Sequence, residues 1–316
     1  MTPTRRQAIE ALLASVAAGM VGSRAWSQIT PPQTSAETPP VAADGDSSIA
    51  AGRDPFDHLT APVMLNGEGP FTFIVDTGAS VSCVSDKLVE SLGLPIQAER
   101  RVHTIVGVRR HPMALIDELQ VGVRRQRRMA ALSIPLEQPE IQGVLAVDWL
   151  KGQRVMLDFA GGRLEFAASR EEHSTTNSVV VPARRRQGQL TMVDALLGDR
   201  RVSAMIDSGS EMSVCNTPLL RLLDRAQVVP SRHQLVEMVT VIGEPFSGEL
   251  VYLPFLRLGG LQLGNVGVMH ADTHVFEIWG LAGKPAVLLG MDLLREFQAV
   301  SLDFGRSQVR FDLRPT

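Results

Sequence analysis

Cysteine is almost missing from this chain: two in 316 residues, Cys83 and Cys215. That excludes a fold held by a dense disulfide framework, and a chain this long can bury enough apolar surface without one. Net charge is nearly missing as well. The 31 Lys and Arg against 34 Asp and Glu leave −3 at pH 7, so no global field favours nucleic acid or an anionic membrane. The basic runs at 124–128 and 184–186 lack interleaved aromatics and sit beside turn-like residues; both are expected to be solvated turns. No Gly-x-Ser-x-Gly elbow is present, because "GASVS" (78–82) and "GSEMS" (209–213) both lack the second glycine, which removes that route to a serine nucleophile. Nor does any phosphate-cradling glycine-rich loop end in Lys-Ser/Thr.

What is there begins with a distinct N-terminus. Arg5 and Arg6 precede an apolar stretch of eleven residues, Ala11 to Val21, and Ala25-Trp26-Ser27 supplies a small-x-small site. This pattern predicts an export signal over 1–27. The stretch is too short for a spanning helix, which needs about 20 residues, so no stable membrane anchor is expected. The arginine pair resembles a twin-arginine signal, with Ala8-Ile9 where Phe-Leu is usual, and the expected location is periplasmic. Residues 28–52, rich in Pro, Ser, Thr and Ala, read as a flexible linker. The remainder, in a chain 44% hydrophobic and 21% charged, has room for two ordinary globular domains.

The remainder also repeats itself. "VMLNGEGPFTFIVDTGASVSCVS" (63–85) matches "DALLGDRRVSAMIDSGSEMSVCN" (194–216), and Gly67 and Gly198 each stand nine residues before an aspartate, Asp76 or Asp207. Each segment predicts a β-hairpin that delivers the aspartate at the end of its second strand. Short helical signals follow at 86–94 and 217–223, then alternating runs at 103–122 and 238–260 flank turns holding Gly107 and Gly243. "GVLAVDWL" (143–150) answers "AVLLGMDLL" (286–294), and Leu-Asp-Phe recurs in the strand-like runs 154–166 and 299–311. Four landmarks in one order establish a duplication. The lobes are predicted to be mainly β, over 53–172 and 173–316, with a polar connector between them and the two cysteines buried on matching strands as free thiols.

The order Asp-Thr/Ser-Gly, then a hairpin tipped by Gly, then apolar-apolar-Gly before a short helix, resembles the retropepsin-like aspartic proteases over nearly all of both lobes. The resemblance implies two pseudo-symmetric closed-barrel lobes forming one active-site cleft, paired within one chain. A pepsin-like enzyme is less similar, because its flap Tyr lies in the first lobe and the one tyrosine here, Tyr252, lies in the second. The implied activity is an aspartic endopeptidase acting on peptide or protein substrates, without cofactor or metal; an exported peptide-binding protein that keeps the fold and lacks the activity is the alternative. Two carboxylates about 3 Å apart share one proton and can act as base and acid on a water. The candidates are Asp76 and Asp207.

Gly78 and Gly209 would permit the tight turn beneath each aspartate. The resemblance implies that Thr77 and Ser208 lock the two loops across the pseudo-twofold axis, and that Ile105-Val106-Gly107 and Val241-Ile242-Gly243 are flap tips over an extended peptide. It places Glu211 where viral relatives carry an acidic residue against the substrate backbone. Ser210 could hydrogen-bond the Asp207 carboxylate, whereas Ala79 could not, which predicts an asymmetric dyad. Ala146 stands where the second lobe has Gly290, so an extra methyl is expected beneath the first loop. His270, Asp272 and His274 would share one side of an extended segment and could bind metal; with no counterpart in the first lobe, they read as a polar strand end.

Overall fold

A computed structural model of the chain describes residues 46–186, 190–223 and 234–315; the expected export signal lies outside them. Among the described residues the chain is mainly β, built as two closed six-stranded barrels and a sheet between them.

The first barrel runs Leu59–Leu65, Glu68–Val75, Gly143–Leu145, Cys83–Ser85, Arg124–Ile134 and Val108–Val121, and closes where Met64 and Leu65 pair with Gln120 and Leu119. The second runs Leu190–Leu197, Arg200–Ile206, Ala286–Leu289, Val214–Cys215, Leu261–His270 and Pro245–Leu258, closing through Ala195↔Leu258 and Leu196↔Arg257. Closure removes the open edges that a sheet of this size would otherwise expose. The first hairpin turns at Asn66-Gly67, both with positive φ (51° and 85°), the geometry that makes Asn-Gly the favoured two-residue hairpin loop. In both barrels the strand ending at the aspartate pairs in parallel with the strand carrying the apolar-apolar-Gly landmark or its Ala146 variant.

Between the barrels lies a six-stranded run in the order Ser47–Ala50, Arg163–Ala168, Gln153–Asp158, Ala299–Asp303, Gln308–Asp312 and Ser178–Arg186. Its centre explains the recurrent Leu-Asp-Phe. Met156 and Ser301, each just before that tripeptide, are equivalent in the duplication and pair with one another, so the pseudo-twofold axis passes between them. One apolar core continues through both barrels and this sheet; Trp149 is fully buried at its base and meets Phe166 edge-on, with ring centroids 5.0 Å apart.

Two expectations need correction. The strand Ser47–Ala50 falls inside the stretch read as linker: it pairs with Arg163–Ala168, and Ser47 is buried. Its composition has little to bury, but a neighbouring edge supplies the hydrogen bonds. The basic runs are strands, not turns. Along Arg124–Ile134, Arg124 and Gln126 face inward while Arg125 and Arg127 face out, where both pair with Glu118 of the adjacent strand at 3.5 and 3.2 Å. Long arginine stems are compatible with the solvated face of an antiparallel sheet.

Candidate active site

Each aspartate leaves its strand in the same way. The Asp76 amide donates to the Leu145 carbonyl at 2.9 Å and the Asp207 amide to the Leu289 carbonyl at 3.0 Å, so the parallel pairing holds both loops at one height.

Thr77 and Ser208 are completely buried and join the loops. The Thr77 amide donates to Ser208 Oγ (3.1 Å) and the Ser208 amide to Thr77 Oγ1 (3.0 Å). The two hydroxyls then donate onward, Thr77 to the Ile206 carbonyl (3.1 Å) and Ser208 to the Val75 carbonyl (2.7 Å). All four bonds cross between lobes, and each satisfies a buried backbone group that would otherwise be orphaned.

The glycines let the carboxyls meet. A Cβ built on Gly78 would lie 2.3 Å from Asp207 Cγ, and one on Gly209 would lie 2.3 Å from Asp76 Cγ. Each carboxyl therefore rests against the opposite lobe's glycine, close enough for the charge of Asp76 to act on Asp207. Their surroundings differ. Asp76 Oδ1 accepts from the amides of Gly78 (2.8 Å) and Ala79 (2.9 Å), whereas Asp207 Oδ1 accepts from Gly209 alone (2.9 Å). Burial first, then the charge of Asp76, push the Asp207 carboxyl well above the ordinary carboxylate range; the Gly209 amide opposes this less strongly. The asymmetry has a different source from the expected one, because the Ser210 hydroxyl donates to the Met212 carbonyl (2.8 Å), not to Asp207. The shorter path to a carbonyl in its own turn wins.

Ala146 adopts the same extended backbone as Gly290 (φ −106° and −91°), so alanine is unstrained there. Space is the difference: a Cβ on Gly290 would approach the Met212 backbone to 2.5 Å. In the second lobe the amides of Met291 and Asp292 donate to the Ser210 and Glu211 carbonyls at 2.8 and 3.0 Å. In the first, the matching Val147 to Ala79 bond is 3.1 Å, and no bond joins Asp148 to Ser80 among the described residues. The far side of the first loop is thus held by one such bond where the second has two, while the anchor at the aspartate amide, Asp76 or Asp207, is the same in both.

Sequence reasoning missed a second tier of support. Ser82 and Ser213 sit six residues past the aspartates; the Ser82 hydroxyl donates to Asp148 (2.6 Å) and accepts from the Ala146 amide (2.9 Å), and the Ser213 hydroxyl donates to Asp292 (2.8 Å) and accepts from the Gly290 amide (3.0 Å). Burial pushes both supporting carboxyls up, against the lowering effect of these serines. The signal was available, since Ser and Asp recur at matched positions in both copies.

The flap hairpins cross over the cleft. The Ile105 carbonyl accepts from the His274 amide of the second lobe (3.0 Å), and the Val241 carbonyl accepts from the Glu137 amide of the first (3.3 Å). Ile105, Val241 and Ile242 face the cleft. Val106 and Gly107 form the first turn itself, and Gly243 lies against Glu137. Val241 and Ile242 pack on the first lobe's apolar wall with Met113 and Ile134, while Met238, Phe246, Trp279 and Leu288 line the opposite side. Arg109 and Glu244 join the two flaps as an ion pair, and His103 Nδ1 lies 3.1 Å from His274 Nε2. Glu211 is exposed at the cleft. Of the metal candidates, His270 and Asp272 engage Thr217 (2.9 and 2.7 Å), while His274 turns to His103 and Glu277. Cys83 and Cys215 are buried free thiols.

A family model described as "Aspartyl protease" matches residues 61–149 and 193–293, one segment in each lobe. No curated protein sequence matches the chain.

Proposed function

Because the chain belongs to the retropepsin-like aspartyl proteases, we propose that it is an endopeptidase working through a dyad of Asp76 and Asp207. One observation carries the proposal: two carboxyls from duplicated loops meet at the lobe interface, each seated against the other lobe's glycine. Two such groups in a buried site hold a single proton between them.

In this reading the two halves of the pair are not equivalent: burial disfavours charge on Asp207, and Asp76 Oδ1 accepts two backbone amides. A water between them loses a proton to the carboxylate as its oxygen attacks the scissile carbonyl, whose oxygen takes the proton of the other carboxyl. Proton transfer to the amide nitrogen then lets the C–N bond break, and the carbonyl reforms by returning a proton to the dyad. The dyad titrates as a pair, with neither role assigned permanently. The flap tips close over an extended peptide and exclude water, and Glu211 meets the substrate backbone near the cleft mouth. Export to the periplasm, directed by residues 1–27, belongs to the same proposal.

The test uses residues 28–316, with Asp76→Ala and Asp207→Ala, against an unstructured peptide library between pH 3 and 8. Cleavage by the parent that vanishes in both variants is the expected result. A folded parent that binds peptide and cleaves none at any pH overturns the reading in favour of a peptide-binding protein.

A further inference from the structure

The segment 54–58, just before the first barrel strand, contributes to the cleft, and its chemistry is not used by the dyad. His58 is 6% exposed and lines the cleft beside Phe56. Its Nδ1 lies 2.8 Å from Asp54 Oδ2, and Asp54 Oδ1 accepts from the amides of Phe56 (3.0 Å) and His58 (2.8 Å). Asp54 is fully enclosed. Burial alone would raise its carboxyl, but the bonds and charge of His58 outweigh that and hold it below its ordinary range. The neighbouring Asp57 pairs with Arg295 of the second lobe, which ties the segment across the molecule.

The other imidazole nitrogen has no such partner. His58 Nε2 is buried without a hydrogen bond, in a ring whose orientation Asp54 fixes. An ionised carboxylate only accepts, so Nδ1 carries a proton and donates it. Nε2 then either donates, when the ring is charged, or accepts, when it is neutral. A carboxyl group satisfies both states, because a carboxylate accepts from an imidazolium and a carboxylic acid donates to a neutral imidazole. The two pairings differ only in which atom holds the one proton. A hydroxyl or a carboxamide also serves both states, but as a neutral partner it bonds the charged ring more weakly than a carboxylate does; a lysine ammonium serves just one state, and an aliphatic side chain leaves the buried nitrogen unpaired.

We propose that His58 is a specificity-determining residue, positioned by Asp54, whose Nε2 receives an aspartate or glutamate side chain at one fixed position of the peptide substrate. The proposal rests on the peptidase reading for the identity of the ligand, and its test separates the two. Cleavage-site profiling of a peptide library by the parent should show acidic residues enriched at a single position relative to the scissile bond. Paired substrates with Glu or Gln there should differ about 5- to 10-fold in kcat/KM, the difference between a charged and a neutral hydrogen bond. In His58→Gln the Glu/Gln ratio should fall towards one, and Asp54→Asn, which frees the ring, should lower it too. Should His58→Gln fail to fold, the parent's own Glu/Gln ratio and Asp54→Asn decide. No acidic enrichment at any position, or a ratio unchanged in a folded variant, overturns the proposal. If the parent cleaves nothing, the peptidase reading fails, and calorimetry with the same Glu and Gln peptides still decides the His58 assignment: tighter Glu binding, lost in His58→Gln, supports it, and equal binding refutes it.

Discussion

Adding one methyl group at Gly78 or Gly209 tests the dyad at its tightest point. A Cβ on Gly209 would lie 2.3 Å from Asp76 Cγ and 2.4 and 2.6 Å from its two oxygens; on Gly78 the distances to Asp207 are 2.3, 2.4 and 2.4 Å. Ordinary contact begins near 3.4 Å, so the opposite carboxyl must retreat by about 1 Å, the scale on which a misplaced reacting group costs about 100-fold. Rotation alone offers little relief. Asp76 is held by its own amide on Leu145 and by two amides on Oδ1, so the movement must involve the loop, at about 1–3 kcal/mol for overpacking. Gly78→Ala and Gly209→Ala should each lower kcat/KM about 100-fold or more, with a modest fall in stability on urea unfolding. Gly283→Ala, where an added Cβ meets nothing within 4 Å and φ is not positive, is the control and should change neither. Either dyad variant retaining kcat/KM within about threefold would refute the inference that the carboxyls work in the observed contact.

Ser208→Ala should destabilise the fold by about 2–6 kcal/mol on urea unfolding, because it strands the Thr77 amide and the Val75 carbonyl in a fully buried site at about 1–3 kcal/mol each. A cost below about 0.5 kcal/mol would mean that the lobes do not depend on this link. The Asp207 carboxyl is raised in the folded state, so its stabilising contribution is complete below the unfolded carboxylate pKa and is lost as pH rises through the folded value. Asp207→Asn should therefore flatten the decline in stability above the ordinary carboxylate range, while abolishing cleavage; parallel pH–stability curves for parent and variant would contradict this. Burial pushes the Cys215 thiol up to about 12 and raises Cys83 as well, so a thiol reagent at pH 8 should label neither in the native protein and both in denaturant.

The duplication, the mainly β lobes and the paired Asp-Thr/Ser-Gly loops were legible in the sequence because each rests on short-range rules. Alternation marks strands, Gly67 marks a turn, and an apolar strand ending in Asp-Thr-Gly reads alike in both copies. The Ser82–Asp148 and Ser213–Asp292 links were legible in principle, as recurrent residues without an assigned partner. Tertiary structure decided the rest, since those outcomes depend on groups far apart along the chain. It drew Ser47–Ala50 into a sheet by offering it an edge, and turned 124–128 into a strand with Glu118 opposite its outward arginines. It also sent the Ser210 hydroxyl to Met212, crossed each flap onto the other lobe, and left His58 Nε2 buried at the cleft with Asp54 behind it. A residue's type limits the bonds it can make; only the packed chain determines which partner is within reach and which groups lose their water.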